Sequence, residues 1–408
     1  RKFLGDLMAI KVRVLLSSVL FLSTMVLMSC AGHYTCDVTF GSSTCTPSGP
    51  GINQGGGGNT ITQTAFEYFS DDLSTVQMAA AGLNVGNDQA FLPISSFVSP
   101  PLPVGSSNFQ DGGMVVVGKK FLYAAYSNNT VYGFSIDGST AALVPVSSQS
   151  PYTVPIPTAM AVDPAGNFLF VGGSTGISVF RVNSDGTLTA VAGSPFSTTS
   201  SPSQMTTDGV GKYLYAVETS GIVAYSYDAT SGLLTPVTGG PFQTMAQVSG
   251  ESTGKYIIGI TAQDGATSTA DSHVYVFSIT AGTGALTGPT AFITAFPPVN
   301  MAVSPTAAFV YTFEEDFLTG IANTDPMEGF KLSSTGELTA LAGLSPFTSL
   351  IASGGKFDQS GQYLFVKALV SGNFGRGVYS ANTSTGALTS TLPILGPGSD
   401  NFVVTDAP

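Results

Sequence analysis

The sequence predicts an all-β fold, a seven-bladed β-propeller of four-stranded antiparallel blades closed by the C-terminal strand pairing with the first blade. The first observation is the stretch Met160 to Phe196, MAVDPAGNFLFVGGSTGISVFRVNSDGTLTAVAGSPF. Its four short apolar runs (Met160 to Val162, Phe168 to Val171, Ile177 to Val182, Leu188 to Val191) are alternating, β-branched or aromatic, and split by turn residues. The second is that worn copies of this unit recur at an offset of about 45 residues. The third is that a copy without its first strand precedes the others while an orphan first strand ends the chain, as a closed ring of blades requires.

Residues 1–29 read as a lipoprotein signal peptide. Lys11 to Cys30, KVRVLLSSVLFLSTMVLMSC, opens basic, carries an apolar run from Val14 to Met28, and ends Leu27-Met28-Ser29-Cys30, a lipobox that makes Cys30 the lipidated residue. A transmembrane anchor is the weaker reading, since the run is short for a hydrocarbon core of roughly 30 Å. Residues 30–60 then form a lipidated, Gly-rich tether. Within it Cys36 and Cys45 are left as a pair, and a disulfide closing a small loop is their expected use in an oxidising compartment.

Residues 61–408 are the propeller, its four strands per unit named a to d. AFEYFS at Ala65 and STVQMAAA at Ser74 are strands b and c of the first copy. The second runs from Met114 to Tyr152, and the third is the Met160 unit. The fourth begins at Met205, the fifth at Val248, the sixth at Met301 and the seventh at Gly355. NFVVTDAP supplies the last strand a, with Asp406 in the column of Asp163 and Phe66 to Phe69 as its expected partner. Asp163-Pro164-Ala165-Gly166 places Pro and Gly where a tight turn needs them. Asp163, Asp208, Glu251, Asp358 and Asp406 recur once per copy, so they read as turn caps and not as a ring of functional carboxylates.

Charge narrows the partners. The chain has 13 basic and 25 acidic residues; without residues 1–29, 9 and 24 remain, a net charge of −15. That disfavours nucleic acid, and disfavours an anionic membrane surface beyond the lipid anchor. A monomer in the cell envelope, at the outer membrane, is expected.

The motif A-V-D-P-x-G followed by F-L-F-V, with T-G-x-L-T and G-S-P-F closing a blade, resembles the lactonase family of seven-bladed β-propellers, the 6-phosphogluconolactonase-like proteins, and more loosely the YVTN-type propellers. The resemblance spans Phe66 to Pro408. It implies a propeller fold and an enzyme that opens a sugar lactone with water, using His, Glu and Arg side chains at the channel mouth. Here those residue types are few: beyond the signal the chain has His33 and His273, Arg181 and Arg376. Gly172 to Gly176 fits G-x-S-x-G but falls in a b–c hairpin, and GESTGK at Gly250 falls in an a–b turn.

The loops that break the repeat carry the functional expectations. In a four-stranded blade the b–c and d–a loops leave one face, and these vary: Ala262 to His273 in the fifth copy, Glu314 to Glu328 in the sixth, and the segment with Arg376 in the seventh. Glu314, Glu315, Asp316, Asp325 and Glu328 crowd five carboxylates into fifteen residues, which are either solvated loop charge, ion-paired to Lys367 and Arg376, or ligands for Ca²⁺. Lys356 stands in a strand a column (Ala161, Thr206, Ser249, Ala302, Lys356, Val404) whose other members are small or apolar. Two function classes follow. One is a non-catalytic envelope propeller that binds a protein, glycan or small molecule through the variable face; the other is a lactone hydrolase drawing on His273, Glu218, Lys356 and Arg376.

Overall fold

In the third repeat, Ala159–Val162, Phe168–Gly173, Gly176–Val182 and Leu188–Ala190 pair antiparallel in chain order. Strand b is buried along its whole length, which explains why FLFVGG is a continuous apolar run: both of its faces meet neighbouring blades. The computed structural model describes residues 34–39, 42–47, 63–70, 78–84, 90–93, 109–126, 128–146, 151–261, 272–294, 297–306, 308–313, 327–341, 351–370, 373–390 and 402–406.

The chain is an all-β propeller of four-stranded antiparallel blades. Six blades are built from strands consecutive in the chain, one for each of the second to seventh repeats; in the second the outer edge is shared by Leu143–Pro145 and Tyr152–Thr153. The sequence counts seven copies, and the difference lies in the first, which has no strand a of its own. Its strands Gln63–Ser70, Met78–Asn84 and Ala90–Pro93 share a sheet with Phe402–Asp406. Residues 1–60 form a separate compact unit, in which Tyr34–Thr39 and Ser42–Pro47 make a hairpin with Cys36 directly opposite Cys45.

The turn caps hold the a–b turns in shape. Asp163 Oδ1 accepts the Phe168 N–H at 2.6 Å, Asp208 Oδ1 accepts those of Lys212 and Tyr213, Glu251 Oε1 those of Lys255 and Tyr256, and Asp358 Oδ1 that of Tyr363. Gly166 completes the turn at φ 73°, a left-handed conformation that disfavours any residue with a Cβ.

Alternate residues of strand b face alternate neighbours. Phe168 and Phe170 pack on Leu214 and Ala216 of the next repeat, and Tyr123 and Ala125 on Leu169 and Val171. Tyrosines in the third position of strand b reach further: Tyr123, Tyr215 and Tyr311 donate their hydroxyls to the carbonyls of Gly186, Gly284 and Gly386 in the c–d turn of the following repeat. Tyr68 does the same to Ala141, and Phe66 and Tyr68 pack on Leu122 and Ala124. Tyr68 therefore holds the third strand b position, and Glu67 the second. Since Phe66 pairs with Thr405 and Glu67 with Val404, it is Thr405, not Asp406, that falls in the Asp163 column, and Val403, not Val404, in that of Lys356. NFVVTDAP offers an Asp one residue beyond the position that the register places in that column.

Candidate functional site

Strand a residues and a–b turns of several repeats converge on a cavity of about 590 Å³, within the range of small-molecule sites. Val117, Val162, Pro164, Pro305, Phe357 and Val404 are among its walls, and Lys356 is the one cation lining it among the described residues. Lys356 is solvent-exposed. Asp163 is the one carboxylate in the lining among the described residues, but it is buried and engaged by the Phe168 N–H; burial pushes its pKa up, with backbone N–H donors opposing.

Behind this wall lies a second feature, which sequence reasoning missed. Glu67, 1% exposed, pairs with Val404, a cavity residue, and so sits one strand behind the cavity. Its carboxylate accepts from Arg376 Nη1 of the seventh repeat in a buried ion pair. Every other repeat has an aliphatic residue in the Glu67 position (Leu122, Leu169, Leu214, Ile257, Val310, Leu364), and an apolar one in that of Arg376 (Val131, Ile177, Ile222, Val274, Met327). Lys367, buried and paired across the ladder with Arg376, likewise replaces Ala125, Val217, Ile260 or Phe313. Desolvation raises the Glu67 pKa, while Arg376 and then Lys356 pull it back. Among the described residues Glu67 Oε2 has no hydrogen-bond partner. AFEYFS did carry the signal: an acid in an aliphatic column, legible once the strand is phased on Tyr68.

The other expected residues do not join this site. His273 is half-buried at the start of strand c in the fifth repeat, two blades from Arg376, its ring 5.8 Å from that of Tyr275. Glu218 is buried and ties down the loop before the fourth repeat, with Oε2 accepting from the Thr199 and Ser200 N–H groups and the Thr199 hydroxyl. That makes it a loop cap. Arg181 lies over the Phe168 ring and donates to the Thr230 carbonyl, a contact between blades. Cys30, Glu314, Glu315, Asp316 and Asp325 fall outside the described residues; Glu328 lies on strand c of the sixth repeat, opposite Thr312. Among the described residues no group of three His, Cys, Asp or Glu side chains could hold a metal, and no helix is long and apolar enough to cross a membrane.

No protein-family model matches the chain, and no curated protein matches its sequence. Solved structures do resemble it. The periplasmic gluconolactonase of Pseudomonas aeruginosa aligns over 85% of this chain and 99% of its own, at 14% identity and a TM-score of 0.58. A candidate 6-phosphogluconolactonase from Bacteroides uniformis aligns over 85% and 98% at 19% identity and 0.56, and one from Bacteroides fragilis over 82% and 95% at 16% and 0.55. At such identities the likeness establishes the propeller fold and nothing of the chemistry.

Proposed function

We propose that this chain is a ligand-binding β-propeller that holds a small molecule in its strand a cavity without a catalytic set. The observation that carries this reading is the cavity itself: a space of about 590 Å³ where, among the described residues, Lys356 is the cation and the one carboxylate is occupied as a turn cap. Hydrolysis of a lactone calls for a base that can activate water, whereas Glu67 is 1% exposed, behind Val404. The second reading, a sugar lactonase, is favoured by the likeness to the Pseudomonas aeruginosa gluconolactonase. A panel of aldonolactones with and without a 6-phosphate, assayed against the purified protein, separates them. No turnover of any lactone above the spontaneous rate supports the first reading, and catalysed opening of any of them replaces it with the second.

The same proposal places the protein outside the cytoplasm, anchored through Cys30, with Cys36 and Cys45 joined. The lipobox supports the anchor, and the register that sets Cys36 opposite Cys45 supports the disulfide. Intact-mass measurement under non-reducing conditions tests both: a diacylglyceryl residue 30 and no free thiol are expected, and a retained residue 20 overturns the anchor. It also takes the sheet joining Phe402–Asp406 to the first repeat as a seventh blade that closes the ring, supported by the shared ladder from Ala65 to Phe69.

A further inference from the structure

We propose that the ligand of the strand a cavity is an apolar carboxylate, a small acid with a hydrocarbon body, and not a polyhydroxylated sugar acid. This rests on the reading of the cavity as the binding site. Three observations carry it. Most of the side chains lining the cavity are apolar: Met114, Val115, Val116, Val162, Phe357 and Val404 contribute, while among the described residues the polar side chains are Lys356, Gln359 and the committed Asp163. A sugar acid would bring several hydroxyls to a wall with few side-chain partners, and each hydroxyl desolvated without a hydrogen bond weakens binding. A hydrocarbon body loses nothing there and gains by leaving water.

The second observation is charge. The chain carries a net charge of −12, so an anion approaches against the overall field unless a local cation offsets it. Lys356 is that cation, exposed and on the cavity wall. The third is placement. The Lys356 charge already acts on the buried Glu67, so the field that favours a carboxylate behind the wall also favours one in front of it.

Calorimetry of the purified protein with octanoate, 1-octanol and gluconate provides the test. Octanoate should bind saturably, and 1-octanol and gluconate about tenfold more weakly or worse. Lys356→Met should weaken octanoate by about tenfold and leave 1-octanol unchanged. Ala165→Trp, on an exposed turn residue lining the cavity, should block both. Gluconate binding more tightly than octanoate, or octanoate affinity unaffected by Lys356→Met, would overturn the proposed ligand class while leaving the cavity as the site. Octanoate binding that survives Ala165→Trp in a folded protein would overturn the cavity reading itself, and the ligand class with it.

Discussion

Glu67 and Arg376 lie 309 positions apart in the chain and meet as a buried ion pair where the seventh repeat packs on the first. At four of the other junctions the tyrosine in the third position of strand b reaches the next blade through its hydroxyl; here Phe365 holds that position and the ion pair bridges instead. Burying two charges costs desolvation that their attraction only partly offsets, so removing one partner is worse than removing both. Glu67→Leu or Arg376→Ile alone should lower stability by about 3–5 kcal/mol, while the double variant, which restores the residue types of the other repeats, should equal wild type or exceed it by about 1–4 kcal/mol. Urea unfolding of the three variants measures this. A double variant as unstable as the two singles combined would mean the pair is a net stabiliser.

The repeat and its turns are legible because four copies, the third, fourth, fifth and seventh, restate the same local chemistry: a capping acid and a glycine at positive φ before a buried apolar strand b. Glu67 was hidden by phasing. Asp406 invited an alignment on the recurrent acid, whereas Tyr68, through its contact with Ala141, sets the true register one residue away. Arg376 and Lys367 stand out in the sequence as cations near a variable loop, but nothing local tells that both are buried, and the partner of Arg376, Glu67, lies 309 positions earlier in the chain. The cavity was missed for a different reason. Loop variability points to the b–c and d–a face, whereas the described cavity is built from the uniform a–b end, whose residues look structural one repeat at a time and enclose a cavity only together.

The titration of Glu67 gives a signed prediction. Burial raises its pKa above the ordinary carboxylate value of 4.5, so the folded state binds the proton more tightly than the unfolded chain. Its contribution to stability is then fully present below that ordinary value and is lost as pH rises through the folded pKa. Asp163 and Asp208 are raised too, and Asp137, lowered to about 2 by Ser139 and Thr140, acts in the opposite sense at acid pH. The comparison must therefore be made against Glu67→Gln: the stability of wild type relative to this variant should fall as pH climbs upward from 4.5. A difference independent of pH would mean that Glu67 is ionised alike in both states.

The tyrosine bridges should each contribute modestly. Tyr215 donates to the Gly284 carbonyl at 3.0 Å, and both groups lie in the junction between the fourth and fifth repeats. Tyr215→Phe keeps the ring packed and removes only the hydroxyl, so about 0.5–1.5 kcal/mol should be lost in thermal or urea unfolding. Because the bridge joins two blades, hydrogen exchange should also quicken at the 280–284 turn, which a purely local packing effect would not produce.

The proposed closure through the C-terminal strand has the largest expected consequence. Phe402 to Asp406 pairs along Ala65 to Phe69, and Val404 stands both in front of Glu67 and on the cavity wall. Ending the chain at residue 401 would bare the edge of the Gln63–Ser70 strand, leaving its N–H and C=O groups without a ladder. It would also open a path for water to the Glu67–Arg376 pair and remove one wall of the cavity. The truncated protein should therefore lose a large part of the roughly 5–15 kcal/mol by which folded domains are stable, and should lose ligand binding with it. Adding a synthetic peptide of residues 400–408 should recover part of the stability if the loss comes from the missing strand. Melting at the wild-type temperature would refute closure. Loss of stability without recovery at saturating peptide would instead point to damage elsewhere in the first repeat, a distinction that Glu67→Leu/Arg376→Ile in the truncated background sharpens, since it removes the exposed ion pair from the comparison.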